Sequence, residues 1–557
     1  MRHLVVTLVA CFGACFCHNE GLKITLPQGV LQGHTKVTKE GNEFLAFEGI
    51  PYAEPPVGEQ RFQEAKPPKP WKGIWQAKTL YKCIQYDHIL IPAGQDRVSG
   101  DEDCLYVNIY TPDANPPRKY DVLVYIHGGA FVFGNGGMYG PSRILDRPIV
   151  YVNFNYRLGP MGFLSTEDDI LPGNLGLKDQ QMALKWIKEN IHHFGGNPDS
   201  ITIMGTSAGG ASVELHYIMP KSKGLFNRGI SQSGCSLYSW VLVEKPLEKT
   251  KKIAELVGCD TRDNKDMVEC LKSKPARQIA YTVGKLQPWK YNPYTPVGPV
   301  VDKWAKDPVL PDHPYTLLKK GKVQDLPWMI SFTADEGLYP GAEFYNDEDL
   351  EHLDKNWNEL MPHILHYEDV VDSKASIAVG DMIRKEYLGN ERLTKKTFKK
   401  LIKAIGDRLF VADLEKAARL HAVAVKSPVY HYHFAYEGSL SASLVLANTT
   451  EYLGVSHGDD VMYILPVFVI EVNEKDRRMA DTLIDIVVSF MKNGKPDRIK
   501  TWTPLDKDVT SPLNQLKISG PDDMRMVQVD SIGNSEFWNS LPFKENEKIL
   551  TYDKDEL

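Results

Sequence analysis

Residues 200–214 read S-I-T-I-M-G-T-S-A-G-G-A-S-V-E, and how this stretch folds settles the architecture of the chain. The apolar, β-branched run Ile201-Thr202-Ile203-Met204 predicts a buried strand, and the small residues from Ala208 onward predict the start of a helix. Between them stands Gly205-Thr206-Ser207-Ala208-Gly209. A serine on so tight a strand-to-helix turn needs neighbours without bulk, because the backbone is strained there and both flanking elements come close. Gly205 and Gly209 meet that need. Such a turn lifts the Ser207 hydroxyl above the sheet edge and leaves the Ala208 amide free to donate to a developing oxyanion. A bare G-x-S-x-G arises by chance in roughly one chain in five of this length, so a packed glycine turn stands beside a nucleophile as the reading of this segment alone.

Upstream of it, Asp121 to Ile126 (D-V-L-V-Y-I) and Pro148 to Phe154 (P-I-V-Y-V-N-F) are further apolar runs of strand length. Between Leu177 and Phe194 the apolar residues Met182, Leu184, Trp186, Ile187 and Ile191 recur at helical spacing. Strand, helix, strand, helix in this order predicts right-handed crossover units of an α/β sheet. From Gly21 to Trp75 the chain alternates short β-like runs with Pro/Gly turns. After the first apolar run comes His127-Gly128-Gly129-Ala130-Phe131. A glycine turn at the carboxyl end of a parallel strand can aim amides at a developing negative oxygen, or can be a plain loop; a downstream G-x-S-x-G in the expected order favours the first.

A serine hydroxyl is a poor nucleophile until a base takes its proton, and the base must be held in one tautomer by an acid. Asp335-Glu336-Gly337 follows the strand-like run Leu326 to Thr333, and Gly454-Val455-Ser456-His457-Gly458-Asp459-Asp460 places a histidine in a glycine-flanked loop. Sixteen histidines compete for the role, and the residues alone leave the choice open. His431 and His433 read as same-face residues of a strand from Val429 to Tyr436.

Met1-Arg2-His3 followed by the apolar run Leu4 to Cys17 has the cationic start and short core of a cleaved secretory signal, residues 1–17. No later stretch is long and apolar enough to span a membrane, the best being Val122 to Gly136, which His127 and several glycines interrupt. The last four residues, Lys554-Asp555-Glu556-Leu557, spell a retention signal of the endoplasmic reticulum lumen. A resident of that lumen, bound by a retention receptor, is therefore expected, with free secretion as the alternative. Composition does not shift along the 557 residues and no linker or repeat appears, so one large domain over residues 18–557 is expected. A net charge of −7 leaves no basic footprint for nucleic acid.

Five cysteines remain beyond the signal: Cys83, Cys104, Cys235, Cys259 and Cys270. An oxidising lumen favours local bridges, the natural pairs being Cys83 with Cys104 and Cys259 with Cys270, which leaves Cys235 free. No C-x-x-C spacing occurs among the five, so no zinc site is expected. Asn448-Thr449-Thr450 is a glycosylation sequon.

Several segments together resemble the type-B carboxylesterase and cholinesterase family over nearly the whole mature chain. They are F-x-G-I-P-Y-A (47–53), E-D-C-L-Y-V-N (102–108), H-G-G-A-F (127–131), N-Y-R-L-G (155–159), G-F-L (162–164), N-x-G-L-x-D-Q (174–180), F-G-G-N-P (194–198), G-T-S-A-G-G (205–210) and Q-S-G (232–234). The resemblance implies an α/β-hydrolase fold, a central and mostly parallel sheet flanked by helices. It implies Ser207 as nucleophile, Glu336 as acid and His457 as base, in the chain order of that fold. It further implies oxyanion donors at the amides of Gly129, Ala130 and Ala208, and a supporting serine near the acid at Ser233. The same two cysteine pairs match the family's usual bridges, and Phe131, Phe133 and Trp240 match the acyl side of its pocket. The expected reaction is two-stage acyl transfer from small to medium apolar carboxyl esters to water, with no metal or organic cofactor.

Two departures stand out. Thr206 replaces the glutamate that most members carry before the nucleophile, and Ala130 replaces the third glycine of H-G-G-G. Between Cys83 and Cys104 there is no tryptophan, where choline-binding relatives hold a quaternary ammonium by cation–π attraction, so an acetylcholinesterase is disfavoured. Two alternatives remain at this stage: a catalytically silent cholinesterase-like adhesion or binding protein, though all three triad residues are kept, and a juvenile-hormone-type esterase.

Overall fold

Runs of β-branched and aromatic residues that lose both faces to the interior form the middle of one eleven-stranded sheet. The computed structural model describes residues 22–88, 91, 94–467 and 473–546. The expected signal (1–17) and retention sequence (554–557) lie outside the described residues. In chain order the strands are β1 (His34–Val37), β2 (Glu43–Pro51), β3 (Tyr106–Thr111), β4 (Tyr120–Ile126), β5 (Ile149–Phe154), β6 (Gly196–Thr206), β7 (Arg228–Gln232), β8 (Trp328–Thr333), β9 (Val429–Phe434), β10 (Leu513–Ile518) and β11 (Met524–Val529). Their order across the sheet is β11-β10-β9-β8-β7-β6-β4-β5-β3-β2-β1. From β5 to β10 every neighbouring pair is parallel, and the antiparallel pairs lie at the two margins.

Alternation along β4 shows why its sequence is apolar without a break. Val122, Val124 and Ile126 enter one core and Leu123 and Tyr125 the other, as a side-chain period of two requires. All five are fully buried, which stabilises the fold by roughly 8–15 kcal/mol before chain entropy is subtracted. Helix Leu175–Asn190 covers one face through Leu177, Ala183, Leu184, Trp186 and Ile187. Helix Glu474–Asn493 covers the other, starting at an Asn473 cap whose side chain accepts from the Asp476 amide and ending at Gly494 in the left-handed region. The helix expected over 177–194 thus ends at Asn190, and Ile191–Phe194 tightens into a 3₁₀ turn.

Two recurrent segments are explained by buried polar pairing. Arg157 of N-Y-R-L-G grips Asp179 with Nε and Nη2, each 2.7 Å from a carboxylate oxygen, and Asp179 also accepts from the Arg157 amide. Both side chains are buried, so the pair ties the loop after β5 to the helix that follows, and removing either partner alone would strand a charge. Disulfides join Cys83 to Cys104 and Cys259 to Cys270, and Cys235 is free and buried.

Because the chain leaves β4 for β5 on one side and returns to β6 on the other, the sheet reverses direction of growth at β4. Loops leaving the carboxyl ends there diverge and open a crevice. The loops after β4, β6, β8 and β9 carry His127-Gly128-Gly129, Ser207, Glu336 and His457 respectively.

Candidate active site

Strand β6 runs into helix Ala208–Ile218 with a single residue, Ser207, between them. Its backbone is held at φ 60°, ψ −126°, a conformation that side chains rarely adopt and that persists only where the surroundings over-determine it. They do so through glycine. A Cβ on Gly205 would lie 2.4 Å from the Gly209 carbonyl carbon, one on Gly209 2.0 Å from the Ile126 oxygen, and one on Gly234 2.2 Å from the Ser207 oxygen. The Ser207 amide donates to the Gln232 carbonyl at 2.9 Å, fastening the turn to β7. Ala208 opens the helix, where an amide has no partner one turn earlier. Gly129 (φ 110°) and Ala130 (φ 56°) form a tight turn closed by the Val132 and Phe133 amides, which both donate to the Gly129 carbonyl. A Cβ on Gly128 would stand 3.1 Å from the Ser207 Cβ, so this turn lies directly against the serine.

Glu336 is buried in the loop after β8, and each of its oxygens has a fixed partner. Oε1 accepts from the Thr333 amide at 2.7 Å and from the Ser233 hydroxyl at 2.6 Å, and Oε2 meets His457 Nδ1 at 2.6 Å. Residue 335, beside it, brings the two loops together. The Asp335 amide donates to the Val455 carbonyl at 2.9 Å, and its carboxylate accepts from the Val455 amide at 3.0 Å. Gly454 passes so close that a Cβ there would be 2.4 Å from Asp335 Oδ2. Burial raises the Asp335 carboxyl above its ordinary pKa. The histidine loop is braced from within as well, by Asp459, whose oxygens accept from the Ser456 and Ala442 amides at 2.7 and 2.8 Å.

A strained serine turn beside a glycine turn, a buried acid and a histidine is thus assembled from four loops at the carboxyl ends of the strands. The carboxylesterase family model matches residues 20–531. The chain belongs to the carboxylesterase family. It is 41% identical over 530 residues to venom carboxylesterase-6 of Apis mellifera, covering 94% of this chain and 95% of that one. It is 39% identical over 526 residues to a carboxylic ester hydrolase of Bombus ignitus, covering 93% and 94%. The crystal structure of juvenile hormone esterase from Manduca sexta, with OTFP covalently attached, superposes with a TM-score of 0.82 at 26% identity, covering 94% of this chain and 99% of that one. This protein is a carboxylesterase with the α/β-hydrolase fold.

Within this carboxylesterase, Ser207 and His457 line one cavity of about 150 Å³ together with Gly128, Gly129, Phe133 and Tyr339. Its remaining wall is apolar, formed largely by Met138, Val445, Leu446, Val461 and Met462. A larger cavity, about 400 Å³, lies among Leu242, Val300, Trp304 and Tyr315 and is lined by none of Ser207, Glu336 and His457. Of the three aromatics expected on the acyl side, Phe133 is on the cavity wall. Phe131 is instead buried against Phe163 and Trp240, and Trp240 donates from its indole to the Leu409 carbonyl. His457 Nε2 is buried with no hydrogen-bond partner among the described residues.

Burial sorts the other histidines. The imidazoles of His431, His216 and His88 are pushed down to about 3 and those of His127 and His433 to about 4, each chiefly by loss of water, so they stay neutral at physiological pH. His431 and His433 both stack on Phe332, as residues sharing one face of β9.

The buried polar network beside Ser207, where Thr206 stands, is centred on a carboxylate that the sequence does not single out. Asp460 accepts from Gln232 Nε2 at 2.8 Å and the Tyr432 hydroxyl at 2.9 Å, and Thr206 donates to Gln232 Oε1 at 3.2 Å. Thr206, the departure noted in the sequence, is therefore satisfied by a neutral amide. Burial first, and the nearby Glu336 charge in addition, push the Asp460 carboxyl up to about 6. The only signal for Asp335, Asp459 and Asp460 was their adjacency to Glu336 and His457.

Proposed function

We infer that this carboxylesterase cleaves small to medium apolar carboxyl esters through an acyl-enzyme on Ser207. The observation that carries this reading is Glu336: its carboxylate is locked by two donors on one oxygen and meets His457 Nδ1 with the other. That contact puts the imidazole proton on Nδ1 and leaves Nε2, on a ring that lines the cavity shared with Ser207, as the base. His457 takes the Ser207 proton as Oγ attacks the ester carbonyl, and the amides of Gly129, Ala130 and Ala208 receive the negative oxygen. His457 then protonates the departing alcohol, and water, activated by the same nitrogen, releases the acid. His457 Nε2 has no partner among the described residues, and its hydrogen bond with Ser207 forms on substrate binding, as bonds between catalytic groups commonly tighten there. Ser233 holds Glu336 in place and is not among the residues that line the cavity. The apolar cavity wall favours hydrocarbon acyl or alcohol groups.

Ser207→Ala is expected to abolish turnover of a chromogenic short-chain ester and labelling by a serine-reactive organophosphate. Retained turnover would refute the assignment.

We place the protein in the endoplasmic reticulum lumen, on the sequence of residues 1–17 and 554–557. No helix among the described residues is long and apolar enough to cross a membrane. Deleting residues 554–557 should send the protein to the medium, and unchanged secretion would overturn this placement.

A further inference from the structure

One helix lies against both the acid and the base. It starts at Phe398, runs to Gly406, widens into a single π-turn over Asp407–Val411 and continues as Ala412–Ala424. Before the π-turn it backs onto the loop of the acid. A Cβ on Gly337 would lie 2.0 Å from the Ile402 oxygen and 2.6 Å from the Gly406 nitrogen, and one on Gly406 would lie 3.6 Å from the Glu336 Cβ. Within the π-turn it reaches the base: the Phe410 ring packs on the His457 imidazole with centroids 4.4 Å apart and planes inclined at 36°. Tyr339 gives His457 a second ring contact, at 5.4 Å. Tyr339 lines the cavity that Ser207 and His457 share, whereas Phe410 is not among the residues that line it.

π-Turns are rare, and where they interrupt an α-helix they frequently mark a functional site. The residues of this one are tied down on several sides. Asp407 accepts from the Tyr387 hydroxyl and the Lys403 ammonium, both at 2.8 Å. Arg408 donates to Glu545 at 2.7 Å and to the Leu365 carbonyl at 3.2 Å, and the Leu409 carbonyl accepts from the Trp240 indole at 2.8 Å. Phe410 is fully buried, its ring against His457, Tyr238 and Trp240. Successive side chains of an α-helix point about 100° apart, so the extra residue of the wider turn decides that position 410 faces the imidazole.

We propose that Phe410 is a positioning residue for this reaction: its ring fixes the plane of the His457 imidazole, and with it the direction in which Nε2 meets Ser207 and the departing alcohol. The inference rests on the esterase reading above. The contact of Nδ1 with Glu336 holds one edge of the imidazole, and Nε2, on the other edge, moves furthest if the ring rocks about it. The Phe410 ring packed on the imidazole limits that rocking. Proton transfer depends steeply on such placement, and a displacement of about 1 Å can lower a rate by about a hundredfold.

The test compares two butyrate esters that differ in how much the leaving group needs a proton. p-Nitrophenolate departs unprotonated, whereas the alcohol of p-nitrobenzyl butyrate must take a proton from His457 as it leaves. In Phe410→Leu, kcat/KM on the p-nitrobenzyl ester is expected to fall about tenfold to a hundredfold, through kcat and with KM little changed. The loss on the p-nitrophenyl ester should be clearly smaller, so that the ratio of the two moves. Phe410→Met, whose flexible thioether fills the space differently, is expected to behave alike and covers the case in which the leucine variant does not fold. Phe398→Leu makes the same exchange at the start of the same helix, where Phe398 packs on Tyr345 at 4.8 Å, and should lower the Tm without moving the ratio. A ratio unmoved in the Phe410 variants, a loss confined to KM, or an equal shift of the ratio in Phe398→Leu overturns the proposal. A parent enzyme inert on both esters would refute the esterase reading itself, so the two failures are distinguishable.

Discussion

Replacing Glu336 by glutamine keeps the shape of the side chain, removes its charge, and is expected to invert the tautomer of His457. The argument runs through Oε1, which accepts from the Thr333 main-chain amide at 2.7 Å. A main-chain N–H can only donate, so the oxygen of the new amide must occupy that place. Its NH₂ group is then left at the Oε2 position, 2.6 Å from His457 Nδ1. A donor there obliges Nδ1 to accept, the ring proton moves to Nε2, and Nε2 can no longer take the Ser207 proton. Asp-to-Asn changes at the same place in a serine–histidine–aspartate site lower kcat about ten-thousandfold, or about 5 kcal/mol of barrier. Glu336→Gln should lose a similar factor in kcat on p-nitrophenyl butyrate, with KM little changed and the Tm within a few degrees of the parent. Rates are taken per folded molecule from the absorbance of the monodisperse protein, because organophosphate labelling would itself need the activated serine. A variant within tenfold of the parent would refute the reasoning, because the carboxylate would then not govern the proton on His457.

Further outcomes follow from the same structure. Gly209→Ala puts a Cβ 2.0 Å from the Ile126 oxygen and should cost about 1–3 kcal/mol, read as a lowered urea midpoint. Asp460 has its folded pKa pushed up to about 6, so its contribution is fully present below the unfolded value near 3.9 and is lost as pH rises through 6. The stability of Asp460→Asn relative to the parent should therefore improve by about 2 kcal/mol between pH 4 and pH 7, and a difference flat with pH in denaturant titrations would contradict this. Removing the Cys259–Cys270 bridge by a double change to alanine frees a loop with a sequence separation of 11 and should lower stability by about 3 kcal/mol in the chain-entropy account, seen as a lower Tm. Asn448 is exposed, two residues beyond the Leu446 that lines the cavity shared by Ser207 and His457. Expressed through the secretory pathway, the parent should carry a glycan there that Asn448→Gln loses by mass spectrometry, with turnover of small esters retained.

What the sequence determined by itself was whatever neighbouring residues dictate to one another. The strand ending at Thr206, the glycines around Ser207 and the apolar runs of β4 and β5 are local steric and hydrophobic requirements, and they are legible because the residues that impose them are adjacent. The two cysteine pairs are local in the same sense. Tertiary structure alone decided which carboxylate meets which histidine. Glu336 and His457 are 121 residues apart, and their contact depends on Asp335 bonding the Val455 backbone and on Gly454 leaving room for it. It likewise separated Phe133, on the cavity wall, from Phe131 and Trp240, packed in the core, and gathered Thr206, Gln232, Tyr432 and Asp460 into one network. These are complementarities between side chains carried on different strand ends. Only the parallel order of the sheet, set by burial of the whole chain, brings those ends side by side.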